Sequence, residues 1–237
     1  MRNIEELKIK IFADGADKSD MLEMYQKPFI KGLTTNPTLM RKSGVVNYKE
    51  FCIDILSVIK DKPLSFEVFS DDFSEIEDQA LEISSWGKNV YVKIPITNTT
   101  SNTCYRTVEK LSNRGIKLNI TAIFTIDQIK EINDIVKNSG SILSIFSGRI
   151  YDIGQNAELK FNEMTQYIHS NSNCKSLWAS CRMTYDYFTA KACKADIITM
   201  SPALISKMKL FNKDPIEYSK ETVLGFFKDA KKAGFKI

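Results

Sequence analysis

Histidine is almost absent from this chain: His169 is the only one in 237 residues. A zinc centre built mainly from imidazole is therefore excluded. The five cysteines, Cys52, Cys104, Cys174, Cys181 and Cys193, are odd in number and contain no C-x-x-C pair. They read as reduced thiols of a cytoplasmic protein, with neither a disulfide framework nor a thiolate metal site. No apolar run approaches the roughly 18 residues of a membrane span. The opening Met1-Arg2-Asn3-Ile4-Glu5-Glu6 carries acidic charge and no apolar core, unlike a secretory signal. Lysine and arginine total 33 against 29 acidic residues, a net charge of +4, but no basic block stands out. A nucleic-acid surface is not indicated, while a mildly positive balance suits a phosphorylated substrate. Glycine-rich phosphate loops are missing too. No G-x-G-x-x-G follows the first strand-like run, and no G-x-x-x-x-G-K-[ST] appears anywhere.

What is present is a repeating alternation. Short β-like runs occur at Lys8–Ala13, Gly32–Thr35, Leu64–Phe69, Val90–Pro95, Leu118–Phe124, Ser141–Phe146, Ser176–Cys181 and Asp196–Met200. Between them lie stretches of helical periodicity, among them Tyr48–Lys60, Phe73–Trp86, Asn102–Asn113 and Ile126–Lys137. Start signals accompany two of these: Asp71-Asp72 before one, and Thr125 with Gln128 in capping-box spacing at another. Pro215 to Lys232 reads as a further amphipathic helix with a basic end. Strands that alternate with helices argue for parallel βαβ units. Eight of them at this length predict an α/β fold, a single (β/α)8 TIM barrel over residues 1–237 with an extra C-terminal helix. The structural rival is a doubly wound open sheet. No linker or low-complexity tract divides the chain.

A barrel gathers its chemistry at the C-terminal ends of its strands. Lys93 stands inside the otherwise buried-looking Val90-Tyr91-Val92-Lys93-Ile94-Pro95. Burial penalises an ammonium, and a lysine that loses its proton becomes a nucleophile able to form a Schiff base. The plain alternative is a strand-edge lysine that snorkels to water. Other strand ends offer Asp14, Asn36, Glu67, Asn119 with Thr121, Ser144 followed by Phe146 and Arg149, and Ser180 with Arg182. Each has an ordinary structural explanation by itself, such as a cap, a turn or a solvated charge. Seven successive strands each bearing a useful group at the same end are harder to explain that way.

In order along the chain, Thr34-Thr35-Asn36-Pro37-Thr38, Val92-Lys93-Ile94-Pro95, Asn119-Ile120-Thr121-Ala122-Ile123-Phe124, Ser144-Ile145-Phe146-Ser147-Gly148-Arg149-Ile150 and Ala179-Ser180-Cys181-Arg182 resemble the transaldolase family. The resemblance runs from about Lys10 to Pro202 and is closer to the compact subfamily, related to fructose 6-phosphate aldolases. It implies a Schiff-base lysine at Lys93 and an acid/base group for the C4 hydroxyl at Asp14. It implies water-activating groups at Glu67 and Thr121, and ligands for the dihydroxyacetone hydroxyls at Asn36, Asn119 and Ser144. Arg149, Ser180 and Arg182 resemble a phosphate site. No cofactor and no metal are implied, the partners are sugar phosphates, and the compact members form homo-oligomers, often through the C-terminal helix. Here Val223-Leu224 and Phe226-Phe227 give that helix an apolar face, which could equally pack on its own barrel.

Three positions depart from the family pattern: Gly15-Ala16 after Asp14, Ile145 before Phe146, and Trp178 ahead of Ala179-Ser180. They are expected to reshape the acceptor pocket. Phe146 and Glu67 stand where fructose 6-phosphate aldolases have tyrosine and glutamine. Without a tyrosine hydroxyl to position water, the three-carbon unit is expected to be held for transfer. The implied activity is movement of a dihydroxyacetone unit from sedoheptulose 7-phosphate or fructose 6-phosphate to glyceraldehyde 3-phosphate or erythrose 4-phosphate, in the pentose phosphate pathway. Two alternatives stay open: a fructose 6-phosphate aldolase-type lyase that releases free dihydroxyacetone, and a non-catalytic sugar-phosphate binder on the same barrel.

Overall fold

The computed structural model describes residues 8–237; the opening Met1 to Glu6 segment lies outside them. Eight strands close a parallel barrel in chain order. They are β1 (Lys10–Asp14), β2 (Ile30–Thr34), β3 (Leu64–Glu67), β4 (Val90–Pro95), β5 (Leu118–Ile123), β6 (Ile142–Ile145), β7 (Lys175–Trp178) and β8 (Ile197–Met200). β1 pairs with both β2 and β8, which closes the ring and leaves no sheet edge. The open doubly wound sheet is thereby excluded. Parallel neighbours need long crossovers. These are supplied by α1 (Lys18–Gln26), α2 (Pro37–Lys42), α3 (Tyr48–Val58), α4 (Phe73–Ser85), α5 (Tyr105–Asn113), α6 (Ile126–Val136), α7 (Ser147–Asp152), α8 (Ala157–Asn171) and α9 (Asp186–Ala192), while α10 (Pro202–Lys207) follows the last strand. A final helix, α11 (Pro215–Ala233), follows a short 3₁₀ turn.

Local chemistry sets the helix starts. Asp72 caps α4 by accepting from the amides of Ser74 and Glu75, and Thr125 with Gln128 forms a complete capping box on α6. The stretch expected as Asn102–Asn113 becomes helical only at Tyr105, because Thr103 bridges back to Thr97 and holds the entering chain extended. Asp14 is no helix cap: that role falls to Asp17, whose carboxylate accepts from the Asp20 amide.

The strands read as near-continuous apolar runs because both faces are buried. Ile11, Leu33, Phe66, Val92, Ile120, Ile145, Trp178 and Ile198 face outward and join the large core beneath the helices. A second, separate cluster of Phe12, Ile142, Leu177, Ala179 and Ile197 fills the barrel interior, with Tyr91 and Phe146 packed against it. Phe12 needs Gly32 beside it, since a Cβ on Gly32 would lie 2.5 Å from the ring. The apolar floor stops partway up. Above it the inward positions turn polar, and that change of layer creates the site.

Trp178 and Ile145 both belong to the outer layer, and Trp178 packs on Phe161 at 4.8 Å between ring centroids. The expectation that they reshape the acceptor pocket is therefore corrected. Strand alternation sends both side chains away from the barrel mouth.

Candidate active site

Inward positions at the strand ends deliver the polar groups by period-two alternation. Register then decides who meets whom. Glu67 of β3 pairs with Lys93 of β4, and Lys93 pairs in turn with Asn119 of β5. One row across three strands thus carries a carboxylate, an amine and an amide. The Lys93 ammonium lies 2.9 Å from Glu67 Oε2, and Lys93 is only 7% exposed. This contact is Coulombic rather than a directed hydrogen bond, since Oε2 has no hydrogen-bond partner. Lys93 Nζ also donates to the Thr35 carbonyl at 3.2 Å. Thr121, one inward position further along β5, keeps its hydroxyl buried and unpartnered. Lys93 is therefore no snorkelling surface lysine. It is held inside the barrel by a carboxylate and a carbonyl.

Asn119 is fixed from both sides. Its amide donates to Ser65 Oγ at 3.0 Å, and its carbonyl accepts from Ser144 Oγ at 2.6 Å. Across the mouth, Thr34 donates its hydroxyl to Asp14 Oδ1 at 2.7 Å and lies 2.6 Å from the Thr199 hydroxyl. With Asp14 ionised, the one proton of Thr34 is committed to it, so Thr199 donates to Thr34. Burial pushes the Asp14 carboxyl above its ordinary value, against the Lys93 charge and the Thr34 hydrogen bond, which both pull it down. A carboxyl shifted toward neutrality is suited to taking and returning a proton.

A cavity of about 100 Å³ opens at this end of the barrel. Of the expected site residues it is lined by Asp14, Asn36, Lys93, Asn119, Ser144 and Phe146, and on its outer side by Arg149 and Ser180. Glu67, beside Lys93, and Thr121, level with Pro95, are not part of this lining. Thr34 and Thr199 also line it, and the sequence reading missed both. A signal for them existed. Each is a polar residue at an inward position near the end of a strand, after Gly32-Leu33 in Ile30-Lys31-Gly32-Leu33-Thr34 and after Ile197-Ile198 in Ile197-Ile198-Thr199-Met200.

The outer rim is basic. The Arg149 guanidinium stands 5.6 Å from the centroid of the Phe146 ring. Ser180 has a left-handed backbone with φ of 65°, and a Cβ on Gly148 would fall 1.6 Å from its carbonyl oxygen. The β7–α9 turn therefore lies directly on the first turn of α7. Arg182 is placed differently from expectation. It does not line the cavity, and its Nε and Nη2 grip the two carboxylate oxygens of Asp152. Asn36 has a second task, capping α2 by accepting from the Leu39 amide at 3.0 Å. Among the described residues, no group of three or more His, Cys, Asp or Glu side chains is placed to hold a metal ion.

The closed parallel barrel thus holds a buried amine beside one carboxylate, in a cavity that a second carboxylate also lines. Residues 11–237 match the family model described as Transaldolase/Fructose-6-phosphate aldolase, and the chain belongs to that family. A "Probable transaldolase" of Caldicellulosiruptor saccharolyticus is 33% identical over 84% of this chain and 89% of its own length. One from Nitrosopumilus maritimus is 31% identical over 84% and 87%. One from Bartonella henselae is 28% identical over 97% and 100%. Among solved structures, a cube-shaped, highly porous protein cage designed by fusing symmetric oligomeric domains aligns with a TM-score of 0.60 at 8% identity. It covers 97% of this chain and 87% of its own, and at that identity it speaks for the fold alone.

Proposed function

We propose that this protein is a transaldolase that works through a Schiff base on Lys93. The observation that carries the reading is the Lys93 amine, sealed inside the barrel 2.9 Å from Glu67 and lining the same cavity as Asp14. The neutral amine attacks the C2 carbonyl of a ketose phosphate. Glu67 accepts the proton that the ammonium must lose, and with Thr121 it handles the water that leaves the carbinolamine. Both groups carry buried oxygens with unused hydrogen-bonding capacity. Asp14 then takes the proton of the C4 hydroxyl. The C3–C4 bond breaks, its electron pair flows into the iminium, and an aldose phosphate departs. The three-carbon enamine attacks the aldehyde of the acceptor, whose oxygen regains the proton from Asp14. Water finally hydrolyses the imine.

Asn119 and Ser144 form a preset hydrogen-bonded pair suited to the hydroxyls of the dihydroxyacetone unit, with Asn36 beside them. Arg149 and Ser180 sit on the outer side of the cavity, and with Arg182, whose Cγ packs beside Gly148, they form the proposed site for the phosphate of the donor or acceptor. Donors are sedoheptulose 7-phosphate or fructose 6-phosphate, and acceptors are glyceraldehyde 3-phosphate or erythrose 4-phosphate, as in the pentose phosphate pathway. Phe146 lines the cavity without a hydroxyl, which favours transfer over release of free dihydroxyacetone. Five unpaired cysteines accord with a cytoplasmic setting.

Borohydride trapping tests the reading. Incubation with fructose 6-phosphate, reduction and digestion should give a three-carbon adduct on the peptide that contains Lys93. Erythrose 4-phosphate should then be required for turnover. A trapped adduct with free dihydroxyacetone as the main product would replace transfer by lyase activity. No adduct on the folded protein would leave a sugar-phosphate binder.

A further inference from the structure

Asp152 ends α7, one turn after Arg149, so the two side chains share a helix face at i and i+3 spacing. Its carboxylate is gripped by Arg182 in the forked geometry an arginine uses for a phosphate: Nε to Oδ1 at 3.0 Å, and Nη2 to Oδ2. The carboxyl is held below its ordinary value by the Arg182 hydrogen bonds first, with the charges of Arg182 and Arg149 adding to the same effect. The rim thus carries two arginines and one carboxylate between them. Both partners of the ion pair are about half exposed, at 44% and 50%, so the pair is exchangeable rather than a fixed strut. Arg182 is also tethered at its backbone, where its amide donates to Asp186 Oδ2 at 2.7 Å. The guanidinium can therefore turn without the loop moving.

We infer that Asp152 is an internal counter-anion of the phosphate subsite: it holds the Arg182 fork when no sugar phosphate is present and competes with the incoming phosphate for it. This rests on the proposed use of the rim as a phosphate site. Asp152 is a positioning residue, acting through Arg182. Its charge weakens the hold on every phosphorylated ligand, so that products and unreacted donors leave. A sugar without phosphate has nothing to exchange for Asp152 and is unaffected.

Inorganic phosphate is the direct probe, titrated calorimetrically into the intact protein at fixed ionic strength. Asp152→Asn keeps the shape and removes the charge, and it should tighten phosphate binding about tenfold. Asp152→Ser should do the same and serves if the amide variant does not fold. In an Arg182→Ala background the gain should shrink to about twofold, because only the longer reach to Arg149 remains. In turnover, KM for fructose 6-phosphate should fall with Asp152→Asn while KM for fructose stays constant. A folded Asp152 variant that binds phosphate no tighter, or an equal shift in KM for both sugars, would overturn the inference. If the wild-type protein turns over neither sugar, the transaldolase reading fails while the phosphate titration still decides the role of Asp152.

Discussion

Lys93 and Glu67 face each other in direct register on β4 and β3, with Nζ 2.9 Å from Oε2, and each is the other's only salt-bridge partner among the described residues. The amine proposed as the nucleophile is thereby paired with a carboxylate, the group proposed to take its proton. The pairing also binds function to stability, because neither charge is at ease without the other.

Lys93→Met should abolish the reduced adduct and lower transfer by at least about a thousandfold, since nothing else in the cavity is an amine. It should also destabilise the fold by about 3 kcal/mol, because Glu67 is left buried without its cation. Adding Glu67→Gln should restore most of that stability and none of the activity. Chemical denaturation of the single and double variants measures the coupling, and a double variant no more stable than Lys93→Met would refute it.

Asp14 makes an opposite prediction for stability and activity. Its carboxyl is raised in the folded protein by burial. Between the unfolded and folded values the native state binds more protons, so stability falls as pH rises through that window. The loss then persists at neutral pH. Asp14→Asn should therefore raise the melting temperature at neutral pH and lose this advantage below the ordinary carboxylate range. Transfer should fall by about 10²–10⁴-fold at neutral pH, with a smaller loss on the acid side. In the wild type, transfer should decline on the acid side as Asp14 protonates. A melting temperature that the substitution leaves unchanged at neutral pH would contradict a desolvated carboxylate.

Gly148→Ala should be severe for so small a change. Its Cβ would meet the Ser180 carbonyl at 1.6 Å, and backbone cannot yield as a side-chain tip does. About 2–3 kcal/mol of stability should be lost, with a rise in KM for phosphorylated donors as Ser180 is pushed off the rim. A variant with wild-type melting and wild-type KM would mean that the turn relaxes freely.

Association should depend on α11. No residue of this helix is buried, and Phe227 is 65% exposed, with Val223, Leu224 and Phe226 exposed beside it. The apolar face is therefore not spent on its own barrel, and we expect it to pack against a second copy of the chain. Phe227→Glu should shift sedimentation toward monomer and leave the barrel folded. A monomeric wild-type protein at micromolar concentration would end this expectation.

Much of the barrel was legible in the residues. All eight strand-like runs became strands, because a strand buried on both faces must be apolar nearly throughout and short, and such runs stand out between amphipathic helices. Thr125 and Gln128 announced the start of α6 because capping is local chemistry. The two threonines of the cavity, Thr34 and Thr199, stayed hidden. A threonine in a strand is ordinary, and only closure of the ring brings β1, β2 and β8 together so that both hydroxyls line up behind Asp14.

Which residues were chemically capable was fixed along the chain: one lysine within an apolar strand, carboxylates at Asp14 and Glu67, arginines at Arg149 and Arg182. Alternation alone put them at strand ends. What those groups face was decided by tertiary structure. Register gave Lys93 its carboxylate, layer packing sent Trp178 outward, and the contact between α7 and the β7–α9 turn gave Arg182 to Asp152. Local sequence sets each residue's conformation and polarity over a few ångströms of chain. Charges act through space on partners tens of residues away, and only the closed barrel sets those distances.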